Sequence, residues 1–464
     1  MTLTTPIDAG SRPAADAAVR ALTTAVTRVH LPGTEAYARL TATQNLATPV
    51  QPVAVVEALD ATEVATTLRL AAEADVPVAV QGTGHGVTDA MTGALLVHTA
   101  SLDELTVDPV LRRARIGAGV RWGAVLDAAV PHGLAPVCGS SLHVGVAGFL
   151  TGGGVGPLAR SHGLSSDYVH AFEVVTGDGV VRRASRTEHP DLFWGLRGGK
   201  GALGIVTAVE LDLAPVAEVY GGALWFAAED ATPVVRTWSV WADLLPTQAT
   251  TSLAVLRLPD LDLVPPPLRG RTVVCVRFVW TGAPDEGEEL VRAMRAVGEP
   301  LIDSVAVLPY AAIGSVHADP DDPMPTSESS FLLEDFGPEA VERFLDLVGP
   351  HVPSPQLMVE VRQLGGAVRS GDDCAFAHRD APFSVFTAGF AIPETADLVA
   401  GDARRIAQGL APWAREGSMP NFTTGGGSSW VERAYPAPVA ARLRELSVAY
   451  DPAGVLLAAR RLRG

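Results

Sequence analysis

Val78-Ala-Val-Gln-Gly-Thr-Gly-His-Gly86 decides how this chain is read. A short β-branched run feeds a loop in which Gly82, Gly84 and Gly86 alternate with Thr83 and His85. Glycines so spaced free the backbone to take positive φ and to approach a ligand with no Cβ in the way. Successive amides in such a turn converge on an anion, and a phosphate or pyrophosphate suits that geometry. A phosphate loop needs no imidazole, so His85 is the feature to explain; the alternative is a glycine-rich turn with an incidental histidine. Upstream, Pro52–Glu57 reads as a strand, Ala61–Ala74 as a helix capped by Asp60 or Thr62, and Val76–Val80 as the strand entering the loop. The loop follows a strand but opens no long helix, which separates it from the Gly-x-Gly-x-x-Gly dinucleotide turn.

A second glycine concentration follows: Gly139-Ser-Ser-Leu-His-Val-Gly-Val-Ala-Gly-Phe-Leu-Thr-Gly-Gly-Gly-Val-Gly156. Each glycine inside an element costs about 0.5–1 kcal/mol relative to alanine. Such density marks backbone lying against a large flat ligand rather than ordinary packing. Strand Val169–Thr176, the turn Gly177-Asp-Gly179 and strand Val180–Ala184 form a hairpin. Gly204-Ile-Val-Thr207 then leads to a strand over Ala208–Leu213. Beyond Pro215 the glycine clusters stop. Strands are expected near 223–226, 252–258, 272–280, 357–364 and 383–388, and helices near 231–245, 285–297, 337–349, 394–411 and 438–450. That alternation describes an α+β domain whose largely antiparallel sheet is covered on one side.

Bulk properties narrow the partners. The 464 residues allow roughly two to four domains, and 47% apolar against 19% charged residues supplies a large core. A formal charge of −17 with no Lys/Arg-rich run argues against nucleic acid. No basic leader precedes an apolar stretch, and no run approaches the ~18 apolar residues of a membrane span. A soluble cytoplasmic protein acting on a small molecule, with no membrane partner, is the expectation; oligomeric state is not legible. Cys138, Cys275 and Cys374 lie far apart, so neither a disulfide framework nor a metal site is expected.

Six motifs in order resemble the FAD-linked oxidases of the p-cresol methylhydroxylase/vanillyl-alcohol oxidase superfamily, in the berberine-bridge-enzyme-like branch. They are Gln81–Gly86, Val144–Gly148 with Gly152–Gly156, His162-Gly-Leu-Ser-Ser-Asp167, Val174-Val-Thr-Gly-Asp-Gly179, Asp191–Gly201 with Gly204–Thr207, and Tyr450-Asp-Pro452. The resemblance implies an α+β fold: a two-subdomain FAD-binding domain at 46–215 and an antiparallel-sheet substrate domain covered by helices at 216–410. A lead-in occupies 1–45, and 411–464 returns to the FAD domain. It places FAD on Gln81, Gly82, Thr83, Gly84, His85, Gly86 and Val87. Further contacts are Gly139, Ser140, Ser141, Gly145, Val146, Gly148, Gly152, Gly204, Ile205, Val206 and Asn421. His85 occupies the position that is covalently joined to the flavin 8α-methyl. Some relatives carry a second, cysteinyl link where this chain has Ser141, so a single attachment is expected, and Cys138 reads as a small buried thiol.

Departures matter for catalysis. Phe149 and Ala147 replace a frequent His and Gly, and the Tyr-x-Asn-Tyr motif that carries the usual base reads Met419-Pro-Asn-Phe422. Gly454-Val-Leu-Leu457 replaces the usual Asn-x-Phe-Arg. The family base therefore does not transfer. Alternation along Leu357–Leu364 puts Glu360, Arg362 and Leu364 on one face and Val359, Val361 and Gln363 on the other. A charged pair two apart on a strand ordinarily marks a solvated face; the alternative aims Glu360 or Arg362 at the flavin. His143, inside the second glycine region, is a further candidate base or substrate contact; Tyr310, His317 and His378 are lesser candidates, each also read as structural. Val144 matches a position where a small side chain admits O₂ to reduced flavin. The leading expectation is an FAD-dependent oxidase that takes hydride at flavin N5 from a small or medium organic substrate, a secondary metabolite or a sugar, and passes electrons to O₂ to give H₂O₂. The lost tyrosines motivate a second reading, non-redox elimination or cyclisation, and a third is a non-catalytic FAD-binding protein.

Overall fold

Three sheets carry the chain in the computed structural model, which describes residues 12–423 and 429–464. The start of the expected lead-in and the tail cluster Gly425-Gly-Gly427 lie outside the described residues. The first sheet orders Val29–His30, Ala54–Glu57, Leu95–His98 and Val78–Gln81. Its first pair is antiparallel and the other two are parallel. Every residue of Ala54–Glu57 and Leu95–His98 is buried, which accounts for the uninterrupted apolar runs. The Asp60 side chain accepts the Glu63 amide and starts the helix Ala61–Glu73, which buries Val64, Leu68 and Ala71 against this sheet. The C-terminal segment comes back to the same place: the Val78 amide donates to the Val455 carbonyl at 2.8 Å.

The second sheet is antiparallel, in the order Leu105–Asp108, Arg113–Gly117, Ile205–Asp212, Val169–Val175, Val181–Ser185. The Gly-Asp-Gly hairpin is present, with Gly179 at φ +73° and Thr176 N donating to Val180 O at 3.1 Å. The strand expected from Ala208 starts earlier, at Ile205. Gly204 explains the shift: a Cβ there would lie 2.6 Å from Val174 Cγ2 and 2.7 Å from the Val175 carbonyl, so glycine lets the strand enter hard against its neighbour.

The third sheet has nine strands. Its path runs Ile302–Asp303, Glu218–Ala227, Thr272–Trp280, Ala249–Arg257, Met358–Gln363, Phe383–Phe390, Thr326–Leu333, Ala414–Arg415, and Ala306–Pro309 also pairs with Glu218–Ala227. Leu253, Val255, Val274, Val276, Val359 and Val361 form its apolar face. Helices Ala231–Leu244, Pro284–Arg295, Pro338–Val348 and Ala396–Gly409 cover that face. The opposite face is polar in register: Arg277 sits beside Ser252, Ser252 beside Arg362, and Arg362 beside Ser384. This face is not solvated; Glu360 is 2% exposed and Arg362 9%. The glycine-bearing part of the chain covers it, and buried Arg160 pins the two together. Its guanidinium donates to the carbonyls of Ala249 (2.7 Å), Leu364 (2.6 Å) and Leu245 (3.2 Å). No helix among the described residues is long and apolar enough to cross a membrane.

Candidate functional site

The loop after Val78–Gln81 is tied down before it turns. Gln81 is buried, and its Nε2 donates to the carbonyls of Leu40 (3.2 Å) and Ala42 (2.8 Å). Gly84 takes φ +81°, where a Cβ would also press on Ala42 O and Gln44 N at 3.1 Å. Thr83 joins the two glycine regions: its Oγ1 accepts the Gly145 amide at 3.1 Å and lies 3.0 Å from His85 Nδ1. His85 is an exposed residue whose ring is desolvated in part by neighbouring protein. That desolvation, with the charges of Arg121 and His143 nearby, pushes its pKa down to about 4, so the imidazole is neutral at pH 7.

The glycines divide by what surrounds them. No protein atom lies within 4 Å of a Cβ built on Gly86 or Gly148, so both leave backbone open to a ligand. The others are needed for close packing. A Cβ on Gly139 would meet the Phe149 ring at 2.9 Å, on Gly145 it would meet Thr83 Cγ2 at 3.1 Å, and on Gly82 it would meet Thr99 Oγ1 at 3.2 Å. On Gly152 it would collide with Asn421 Oδ1 at 2.0 Å. Asn421 Nδ2 donates to Phe149 O at 2.9 Å while its Oδ1 accepts from Lys200 Nζ. Burial pushes the Lys200 pKa down to about 8. Lys200 lay unremarked inside a glycine motif; its φ of +57° is visible only in the structure. Val146, Ile205 and Val206 are buried in the cores beneath, and Val87 is half-buried at the end of the first loop. The open backbone at Gly86 and Gly148, the neutral imidazole and the adjoining loops fit the pyrophosphate and ring system of FAD.

Ser140, Ser141, Leu142 and His143 line a cleft of about 290 Å³ together with Gly314, Ser315, Asp319 and Asp321. Ser140 Oγ donates to Asp319 Oδ2 at 2.6 Å, and His143 Nε2 lies 3.1 Å from Asp321 Oδ1. His143 is therefore a carboxylate partner at the cleft mouth. Val144 is half-buried, and its carbonyl accepts the Trp122 amide at 3.1 Å.

Across from the glycine segment, Glu360 forms the hub of the polar sheet face. Its Oε1 accepts from Ser252 Oγ (2.7 Å) and Arg277 Nη1 (2.9 Å), and its Oε2 from Arg362 Nη2 (2.8 Å). Burial would raise its pKa, but the guanidiniums of Arg362 and Arg277 outweigh burial and hold the carboxyl well below the usual range. With both oxygens already accepting from buried donors, this carboxylate is a counter-ion. Arg362 also stands over the Phe422 ring, 5.4 Å from its centre. Of the three residues read as structural, Tyr310 donates to Pro136 O at 2.6 Å, and His378 Nε2 sits 3.1 Å from Ala434 O. His317 differs: it is buried beside this cluster, with Nε2 3.6 Å from Glu360 Oε1. Sequence reasoning passed over Arg277 because it interrupts the apolar strand Thr272–Trp280 singly, with no charged neighbour at strand spacing.

Comparison with known proteins matches residues 52–185 to the FAD binding domain family. The FAD-dependent monooxygenase FUP4 of Fusarium proliferatum (strain ET1) is 36% identical over 176 residues, 37% of this chain and only 34% of that protein. The FAD-linked oxidoreductase YgaK of Bacillus subtilis (strain 168) is 26% identical over 414 residues, covering 84% of this chain and 86% of that one. Among solved structures, 6-hydroxy-D-nicotine oxidase of Arthrobacter nicotinovorans superposes with a TM-score of 0.78 at 23% identity, covering 92% of this chain and 96% of the other. The BBE-like 1 protein of Physcomitrella patens gives a TM-score of 0.81 at 19% identity, covering 95% and 97%. Residues 52–185 thus carry an FAD-binding segment, and nearly the whole chain shares the fold of 6-hydroxy-D-nicotine oxidase and the BBE-like 1 protein.

Proposed function

We propose that this protein is an oxidase with a single covalent FAD, attached through His85, that oxidises a small or medium organic molecule at the expense of O₂. The observation that carries the reading is the junction at Thr83, which sets a neutral His85 beside the segment Ser141–Gly145. A neutral imidazole keeps a lone pair for bonding to the 8α-methyl, and Ser141 offers no thiol for a second bond. Bound there, FAD supplies the two-electron acceptor and the route to O₂ that yields H₂O₂. The chain's own residues do the rest. The backbone at Gly86 and Gly148 admits the cofactor, Gln81 fixes the loop, and Asn421 with Lys200 closes the far end of the glycine segment. The Glu360 face meets that segment and is the site's substrate side, suited to a secondary metabolite or a sugar. The elimination or cyclisation reading is not favoured, since the relatives and neighbours are oxidoreductases and oxidases.

The test uses purified holoprotein. Yellow colour should stay with the acid-precipitated pellet, and His85→Ala should release it to the supernatant. Alcohols, aldoses and aromatic amines offered under air should include at least one that bleaches the flavin and generates peroxide. A flavin reduced by substrate but never reoxidised by O₂ rules out an oxidase.

A further inference from the structure

Where the polar sheet face meets the glycine segment, Gly156, Pro157, Ser252, Arg277, His317 and Arg362 bound a cavity of about 10 Å³. About 10–15 Å³ of such space holds one water, so the enclosed part accepts a single oxygen-sized group. Three polar atoms of the lining residues have no hydrogen-bond partner: Nδ1 and Nε2 of His317 and Nε of Arg277. Both residues are more than nine-tenths buried, at 9% and 3% exposure. Buried polar atoms are costly to leave unpaired, so the cavity calls for a polar guest.

Four charged groups surround it: Arg277, Arg362, Glu360 and Asp319. Arg277 and Arg362 share one carboxylate, Glu360, and both its oxygens are already engaged. Asp319, two residues along from His317, accepts from Ser140, and its charge also reaches Arg277 and His317. The unpaired Nε–H of Arg277, which can only donate, favours an oxygen acceptor over an ammonium or iminium group in this corner.

We propose that this corner is a one-oxygen subsite for the hydroxyl of an alcohol-type substrate, in which His317 accepts the hydroxyl proton and Arg277 donates to the oxygen. The assignment rests on the FAD-oxidase reading above. As the neighbouring C–H bond breaks, its hydrogen leaves with both electrons to oxidised FAD, the O–H proton passes to His317, and C–O becomes C=O. The carbinol carbon is oxidised by two electrons and the cofactor reduced by two. Burial, then the guanidiniums of Arg277 and Arg362, push the His317 pKa down to about 3 while Glu360 and Asp319 act the other way, so the ring stands ready in its neutral form. The same positive field eases loss of the hydroxyl proton, so a weak base suffices. The imidazolium so formed lies 3.6 Å from Glu360.

The experiment follows anaerobic flavin bleaching in the holoenzyme with benzyl alcohol, D-glucose and benzylamine as probes. At least one hydroxyl probe should reduce the wild type and benzylamine should not. His317→Gln should slow reduction by about 100-fold or more, the usual scale for losing a positioned base, with flavin content and melting temperature unchanged. His317→Ala should recover rate when imidazole is added. A wild type that none of the probes, nor any of the wider panel above, reduces overturns the oxidase reading and this subsite together. Reduction by benzylamine alone, or His317→Gln reducing at the wild-type rate, overturns only the subsite. So does a slow variant with a lowered melting temperature and no imidazole rescue, which would make His317 a packing residue around a structural water.

Discussion

Replacing Glu360 with glutamine separates a counter-ion from a catalytic base. The carboxylate accepts from Ser252, Arg277 and Arg362 at 2.7–2.9 Å while 2% exposed, so the substitution leaves two buried guanidiniums with no anion between them. Removing one partner of a buried ion pair costs about 3–5 kcal/mol. At roughly 2–4 °C of melting temperature per kcal/mol for large domains, the expected loss is about 6–20 °C. The pH dependence gives a second handle. The folded carboxyl has a depressed pKa, so its stabilisation is fully present above the ordinary carboxylate range and fades as pH falls through and below it. The gap in melting temperature between wild type and Glu360→Gln should therefore be widest near pH 7 and narrow below about pH 4.5. Thermal unfolding of holoprotein, followed by flavin fluorescence and circular dichroism between pH 3.5 and 7, measures both. A variant that melts within about 2 °C of wild type at pH 7, while losing flavin reduction entirely, would refute the counter-ion role and restore Glu360 as the base.

Other expectations are more direct. Arg160→Met should cost about 4.5–9 kcal/mol by urea titration, since it strips three carbonyls of a charged donor at a seam where bonds to charged groups contribute about 1.5–3 kcal/mol each; a midpoint equal to wild type would show that the seam holds without it. All three cysteines are free and buried, and burial pushes Cys138 and Cys275 up to about 11. Native protein at pH 8 should therefore leave a disulfide reagent uncoloured, and urea should release three thiols; rapid native labelling of any one contradicts the packing. Val144→Phe should slow reoxidation of reduced flavin by air about tenfold or more while leaving its reduction intact, with stopped-flow absorbance separating the two; unchanged reoxidation would remove Val144 from the oxygen path.

The glycine loops, the hairpin and the alternation of Met358–Gln363 were legible because each is local. Glycine density needs no partner to be visible, and a period of two fixes which residues share a face. Alternation did not say what lies over that face, so Glu360 and Arg362 read as naturally solvated as buried. The strand Thr326–Leu333 escaped because Thr-Ser-Glu-Ser-Ser has little strand character; pairing with Phe383–Phe390 makes it a strand. Leu105–Asp108 escaped differently, as four residues whose alternation between half-buried and exposed is too brief to register. His317 and Arg277 stand 43 and 83 positions from Glu360, on a turn and in an apolar strand, so only the fold brings them together.

That convergence also explains the segment 317–326, which contains the proline-rich run Asp319-Pro-Asp-Asp-Pro-Met-Pro325. It opens with His317, turns at Ala318 with φ +52°, and presents Asp319 and Asp321 to Ser140 and His143. Farther on, Asn45 exchanges hydrogen bonds with Thr326 at 2.8 and 3.1 Å, and Gln44 Nε2 donates to Asp321 O at 3.0 Å. One turn thus carries the cavity's unpaired imidazole and clasps both the second glycine region and the segment beneath the first. Since Gln44 N also donates to Gly84 O at 3.1 Å, the clasp reaches the loop that bears His85. The imidazole at the proposed tether and the imidazole at the proposed proton acceptor are in this way held in one frame by backbone and polar side chains. A substrate carbon placed by the corner at His317 is thereby placed relative to the cofactor cradle, the positioning on which oxidation of a bound molecule depends.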